Sequence, residues 1–157
     1  MEQNLQSVAV SWVFSVLYML FCIYRPRPAR IFVGLFYIVM GLGVNMTLVF
    51  LYPEGFAIIG QGALLPFYRA LFEHLVSAAP AAWGLFIAIF EITMGIMILQ
   101  KGLTARLGLI GYTVFCLAIT PLNWMAFPAW CLAIGHIHIL RSGVVPDTQP
   151  HRLRPVN

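Results

Sequence analysis

The stretch LFIAIFEITMGIMIL, residues 85–99, is apolar from end to end except for one acid, Glu91. Taken with AAWG before it, the run falls within the roughly 17–25 residues that cross a hydrocarbon core as a helix. At about 100° per residue, Gly84, Ala88, Glu91 and Gly95 lie within roughly 60° of one another. The acid therefore shares a face with small residues. Membrane helices approach closely on such faces, so this side is expected to turn toward other helices and not toward lipid.

The rest of the 157-residue chain fits the same solvent. It is 61% hydrophobic with 9% charged residues, and its mean hydropathy is +0.90. A water-soluble domain needs more charge than this to cover its surface, whereas a surface facing lipid does not. Five apolar runs are expected to cross, at about 7–24, 31–52, 81–99, 107–124 and 127–140, the last being short. The first lacks the basic flank and small-residue cleavage site of a signal peptide and is followed by RPRPAR (25–30), so it is read as a retained span. The expected fold is all-α, a polytopic transmembrane helix bundle over 1–143.

Charge gives the orientation. If five helices alternate, Arg25, Arg27, Arg30, Lys101, Arg106, Arg141, Arg152 and Arg154 share one side and Arg69 alone lies on the other. The positive-inside rule assigns the basic side to the cytoplasm, with the N-terminus outside and the C-terminus inside. In a bacterial cell this is the inner membrane. Tyr52, Trp83, Trp124 and Trp130 fall near the expected outer boundary, as an aromatic belt does. The formal charge of +4 comes from juxtamembrane arginines and speaks for contact with membrane lipid, not nucleic acid.

One long connection, 53–80, lies on the outer side. Within it PFYRALFEHLVS (66–77) reads as a short interfacial helix with Pro at its first position. Phe67, Ala70, Leu71 and Leu75 share a face that would lie on the membrane or cap the bundle, and Arg69 stands four residues from Glu73, within pairing distance. The tail VVPDTQPHRLRPVN (144–157) has three prolines and no apolar period, and is expected to be a disordered cytoplasmic tail. Cys22, Cys116 and Cys131 are scattered without C-x-x-C spacing and read as small apolar residues.

On the second run, Gly34, Gly41 and Asn45 fall on one face. Counted from the outer ends, Asn45 lies roughly 10 Å deep and Glu91 roughly 15 Å, within about one turn of each other. The two are expected to meet. An ionised group at mid-bilayer costs about 2.5–3.5 kcal/mol on insertion scales, so Glu91 must be paired, hydrated or protonated, and no Lys or Arg is expected at its depth. Gly34, Gly41, Gly84 and Gly95 are the helix-packing residues of this reading. Glu91 and Asn45 are its candidate ligand-binding or proton-handling pair, with Trp83, Phe90 and Trp124 as candidate pocket walls.

His136 and His138 are expected near the cytoplasmic end of the last run, about 200° apart on a helix, too far round to chelate one ion, and away from the depth of Glu91. His74 lies in the outer loop, so bis-histidine haem would have to bridge the membrane. Single-ligand haem or interfacial hydrogen bonding is left for the histidines. No metal site and no catalytic residue is assigned. Nucleophile elbow, Walker loop, H-E-x-x-H and dinucleotide fingerprint are all missing, which argues against an enzyme of a soluble kind and for a chain without activity by itself.

ARIFVGLFYIVMGLGVN (29–45), a long outer loop, and then GLFIAIFEITMGIMILQKGLTARLGLIGY (84–112) resemble the DoxX family of small membrane proteins. The likeness covers about 29–140, and its most recognisable piece is the acid followed by glycine four residues on, then the basic turn KGLTARLG (101–108). The resemblance implies a four-helix DoxX-like core, to which this chain adds an N-terminal transmembrane helix. It also implies a bundle sometimes encoded with quinone-linked oxidoreductases, with quinone as cofactor and other membrane subunits as partners. Three readings follow. The first is a subunit or accessory of a quinone-linked respiratory or redox complex with an apolar pocket near Glu91. The second is a membrane-embedded isomerase or related enzyme on a lipid- or sterol-like substrate. The third is a structural or assembly subunit docking through its glycine faces.

Overall fold

A computed structural model describes residues 5–145, all of whose regular elements are helical. Helix α1 spans Leu5–Tyr24, and α2 starts at Pro26 after a single residue, Arg25. α2 (Pro26–Val39), a π-helical turn (Met40–Asn45) and α3 (Met46–Leu51) form one continuous helix, Pro26–Leu51. Two short helices follow on the long connection, α4 (Glu54–Gln61) and α5 (Pro66–Leu71), the latter running into a second π turn, Phe72–Val76. α6 (Pro80–Leu99), α7 (Gly102–Ile119) and α8 (Ala129–Arg141) complete the bundle.

Four of these are long and apolar enough to cross a membrane: Leu5–Tyr24, Pro26–Leu51, Pro80–Leu99 and Gly102–Ile119. The fifth expected run differs. α8 has 13 residues, about 20 Å, which falls short of a ~30 Å core. Residues 120–128 form turns instead of extending α7, with Ala126 N–H donating to Asn123 Oδ1. Even so, α8 packs along α1 from the level of Trp12 to the basic end. It begins beside α1, where Trp12 meets Trp130 with ring centroids 6.3 Å apart, and ends where Ser142 and Gly143 share a cleft with Arg25 and Arg27.

Small residues decide how closely the long helices approach. A Cβ on Gly95 would stand 2.7 Å from the Gly34 carbonyl oxygen, and one on Gly41 would stand 2.8 Å from the Ala88 carbonyl oxygen. The α2 face and the α6 face meet backbone to backbone. In lipid, where water expulsion between helices contributes little, such close van der Waals contact is what favours association. Large apolar side chains such as Leu17, Val39, Phe86 and Val114 are left on the outside, a surface suited to acyl chains.

The basic segments converge at one end of the bundle. Arg30 donates to the carbonyls of Ile98 (3.0 Å) and Gln100 (2.6 Å), joining the start of α2 to the end of α6. Arg106 donates to the Val145 carbonyl at 3.4 Å. Val145 is itself buried, so the chain stays packed past 143; residues 146–157 of the expected tail lie outside the described residues.

At the opposite end the long connection, 53–80, caps the bundle. It holds a helix that its sequence hid, α4, whose Gly55 and Gly60 weaken helix propensity in an eight-residue element. The Phe56 ring fills the notch at Gly84, where a Cβ would lie 2.2 Å from it. Tyr68 Oη donates to the Ala118 carbonyl at 2.5 Å, and Leu64 N–H to the Pro121 carbonyl at 3.2 Å. Phe67 and Leu75 face outward, so of the two expected placements this apolar face is not what caps the bundle; the cap is tied down through Tyr68. Arg69 donates to the Ala63 carbonyl at 3.4 Å in place of pairing with Glu73. The π turn beginning at Phe72 interrupts the α spacing on which that pair depends.

Candidate functional site

Glu91 sits on the buried face of α6 with Gly84, Ala88, Gly95 and Ile98, and is 5% exposed. Both carboxylate oxygens are occupied. Tyr112 Oη on α7 donates to Oε1 at 2.7 Å, and Asn45 Nδ2 donates to Oε2 at 2.5 Å. Asn45 reaches the acid because Gly41, one turn earlier, lets the two helices close up: a Cβ there would stand 3.3 Å from Glu91 Cβ. Asn45 is also the last residue of the π turn, a feature that recurs at functional positions in long helices.

A second polar cluster lies alongside. His136 on α8 is fully buried. Its Nε2 is 2.6 Å from Tyr18 Oη and 2.9 Å from Tyr37 Oη, and the two phenol oxygens are 3.2 Å apart. His136 Nδ1 is buried without a hydrogen-bond partner. The clusters join through rings: Tyr37 stacks on Tyr112 with centroids 3.3 Å apart and planes 15° from parallel. Tyr112 and His136 ring centroids are 6.0 Å apart. Every membrane-length helix and α8 thus contribute a polar side chain to one interior assembly.

This changes the placement of His136. It is not an interfacial residue but touches Tyr37, which lies about 16 Å along its helix from Pro26. His136 stands five residues before the end of α8, and its ring is turned into the bundle against Tyr18 and Tyr37. Glu91 has a histidine one tyrosine away. With Nε2 held by two phenols, His136 does not present that nitrogen to a haem. Among the described residues no three His, Cys, Asp or Glu side chains come together to hold a metal.

The candidate walls separate. Phe90 is half-buried against Tyr112 (5.9 Å) and Phe115 (5.2 Å), next to the site. Trp83 donates its Nε1–H to the Leu75 carbonyl at 3.2 Å and holds the cap formed by the long connection, two turns from Glu91. Trp124 is 55% exposed beside Phe127 and touches neither cluster. Gly34, Gly41, Gly84 and Gly95 all pack within the chain, so these two glycine faces are not free to dock a partner. Three cavities among the described residues lie elsewhere, and Glu91 lines none of the three.

Tyr18, Tyr37 and Tyr112 are the residues that sequence reasoning misses. A phenol inside an apolar run must find a partner for its O–H, and Tyr112 shares a helix face with the small residues Ala105 and Gly108, the same sign that singles out Glu91. Tyr112→Phe is expected to leave the stack on Tyr37 in place and lower stability by about 1–2 kcal/mol through the unpaired Oε1. Thermal unfolding followed with a thiol-reactive dye measures this, because Cys22, Cys116 and Cys131 are free and buried.

No family model, curated protein or solved structure matches this chain. The fold and the interior assembly are therefore the ground for a functional reading.

Proposed function

We propose that this chain is a DoxX-type small integral protein of the inner membrane, serving as a subunit or accessory of a quinone-linked redox complex in which Glu91 holds and passes a proton. The observation that carries the reading is the environment of Glu91: a buried carboxyl in an apolar bundle whose partners, Tyr112 and Asn45, are both neutral. Buried acids with neutral partners inside membrane spans are expensive and mark proton or ligand sites by default. The convergence of Arg25, Arg27, Arg30 and Arg106 at one end supports a cytoplasmic assignment for that end, with the N-terminus outside.

A second reading has its own support. Acid–base chemistry on a lipid- or sterol-like substrate usually needs two groups at one depth, and His136 with its unpartnered Nδ1 supplies the other beside Tyr112. Purification in mild detergent separates the two. Co-purifying redox subunits, with complex assembly intact and turnover lost in Glu91→Gln, support the first reading. A bound lipid-like molecule that is converted by the purified chain supports the second. Partners whose redox activity is unchanged in Glu91→Gln would contradict a proton-transfer role.

A further inference from the structure

The RPRPAR turn (25–30) lies at the basic end, and its arginines divide into two kinds. Arg30 is spent on the carbonyls of Ile98 and Gln100. Arg25 and Arg27 are exposed, and their guanidiniums make no hydrogen bond or ion pair among the described residues. Together with Tyr24, Pro26, Pro28, Ser142, Gly143 and Val144, they line a cleft of about 370 Å³ between the α1–α2 turn and the end of α8.

Two features make this cleft more than a charged surface. Pro26 and Pro28 follow the two arginines in alternation, and each proline fixes its own φ and narrows the conformations open to the residue before it. Arg25 is held in a non-helical conformation, φ −137 and ψ 59, so the two cations project from a stiffened turn. On the opposite wall Gly143 has φ +69, and a Cβ there would meet nothing within 4 Å among the described residues. The Ser142 hydroxyl on that wall donates to the Ile139 carbonyl at 2.8 Å, so the cations of the cleft are those of Arg25 and Arg27. The start of a long helix, Pro26–Leu51, adds its positive end to the same place.

We propose that this cleft binds the phosphate of an anionic phospholipid, the two guanidiniums clamping the phosphodiester while its acyl chains enter the leaflet beside α1 and α2. Planar guanidiniums suit phosphate oxygens, which they can meet with paired N–H donors. The cleft lies at the level where the spans end and headgroups begin. A phospholipid is favoured over a soluble phosphate because the neighbouring exposed side chains of α2, Ile31, Phe32 and Leu35, are apolar.

The experiment uses the full chain in mild detergent, with phosphatidylglycerol, phosphatidylcholine and inorganic phosphate as probes and native mass spectrometry as the readout. Phosphatidylglycerol should be retained over phosphatidylcholine, and Arg25→Gln/Arg27→Gln should weaken that retention by about thirtyfold, about fivefold for each arginine. Arg141→Gln, a basic residue of the same end outside the cleft, should leave it unchanged. Because the Arg25 and Arg27 guanidiniums hold no partner among the described residues, an unchanged thiol-dye melting curve accompanies the expected loss. Equal retention of the two lipids, or undiminished binding in the double variant, overturns the proposal. Displacement of the lipid by millimolar inorganic phosphate assigns the cleft to soluble phosphate and overturns the phospholipid assignment.

Discussion

Gly95→Leu will keep α2 and α6 from packing, and it should cost the fold more than any single substitution at Glu91 or Tyr112. The Cβ alone would stand 2.7 Å from the Gly34 carbonyl oxygen and 3.1 Å from the Ile38 backbone nitrogen. Both neighbours are backbone atoms of a continuous helix and cannot rotate away. Overpacking of a well-filled contact typically costs about 1–3 kcal/mol, and a leucine forced between two backbones belongs at or above the upper end. The variant should yield little monodisperse protein and an early thiol-dye transition. Gly111→Ala supplies the contrast: its nearest obstacle is the Met94 Sδ at 2.7 Å, the end of a flexible side chain that can swing aside. Similar melting curves for the two variants would show that the glycine face of α6 does not set the helix spacing.

Glu91→Leu should have the next largest effect. It leaves Asn45 Nδ2 and Tyr112 Oη without the acceptors that now lie 2.5 and 2.7 Å away. An orphaned buried donor costs about 1–3 kcal/mol. Measured interhelical hydrogen bonds in membranes average only about 0.6 kcal/mol, because the unfolded chain in lipid also finds partners. A loss of about 2–4 kcal/mol is expected for the pair. Glu91→Gln should cost under about 1 kcal/mol, since the amide carbonyl accepts from one partner and its N–H donates to the phenol oxygen of the other. Adding Tyr112→Phe to Glu91→Leu should recover part of the loss by removing one stranded donor, a coupling that a double-mutant cycle isolates. Strictly additive losses would mean that the Tyr112–Glu91 bond contributes nothing to the fold.

Much of this arrangement is legible in the amino-acid order, for a physical reason. The buried residues of α6 are Gly84, Ala88, Glu91, Gly95 and Ile98, and the first four are those that the helical period groups together. Period and residue size suffice there because the helix is regular from Pro80 to Leu99. Trp83 and Trp124 lie apart from Glu91: the Trp83 ring is held by the Leu75 carbonyl and Trp124 is exposed beside Phe127.

Where regularity breaks, legibility ends. His136 reads as near-terminal on its helix, yet its ring is buried because Tyr18 and Tyr37 from two other helices close on it. The π turns at Met40–Asn45 and Phe72–Val76 alter local phase, and the second removes the expected Arg69–Glu73 pair. The tyrosines escape notice because their rings count as apolar in a hydropathy profile while their hydroxyls do not. Tyr18, Tyr37 and Tyr112 come from three different helices, so only tertiary structure brings them to Glu91 and His136.

At the centre of the proposed function, Glu91 exchanges a proton instead of only fastening α6 to α7 and the Asn45 turn. Infrared difference spectroscopy of the purified chain, taken across a span of neutral, mildly acidic and mildly alkaline pH and compared with Glu91→Gln, tests this most directly. Proton handling predicts a carboxyl C=O stretching band that is absent from Glu91→Gln, shifts in heavy water and changes in intensity with pH. A Glu91 signal that neither exchanges with heavy water nor changes with pH would contradict proton handling and leave the residue as a hydrogen-bonded fastener.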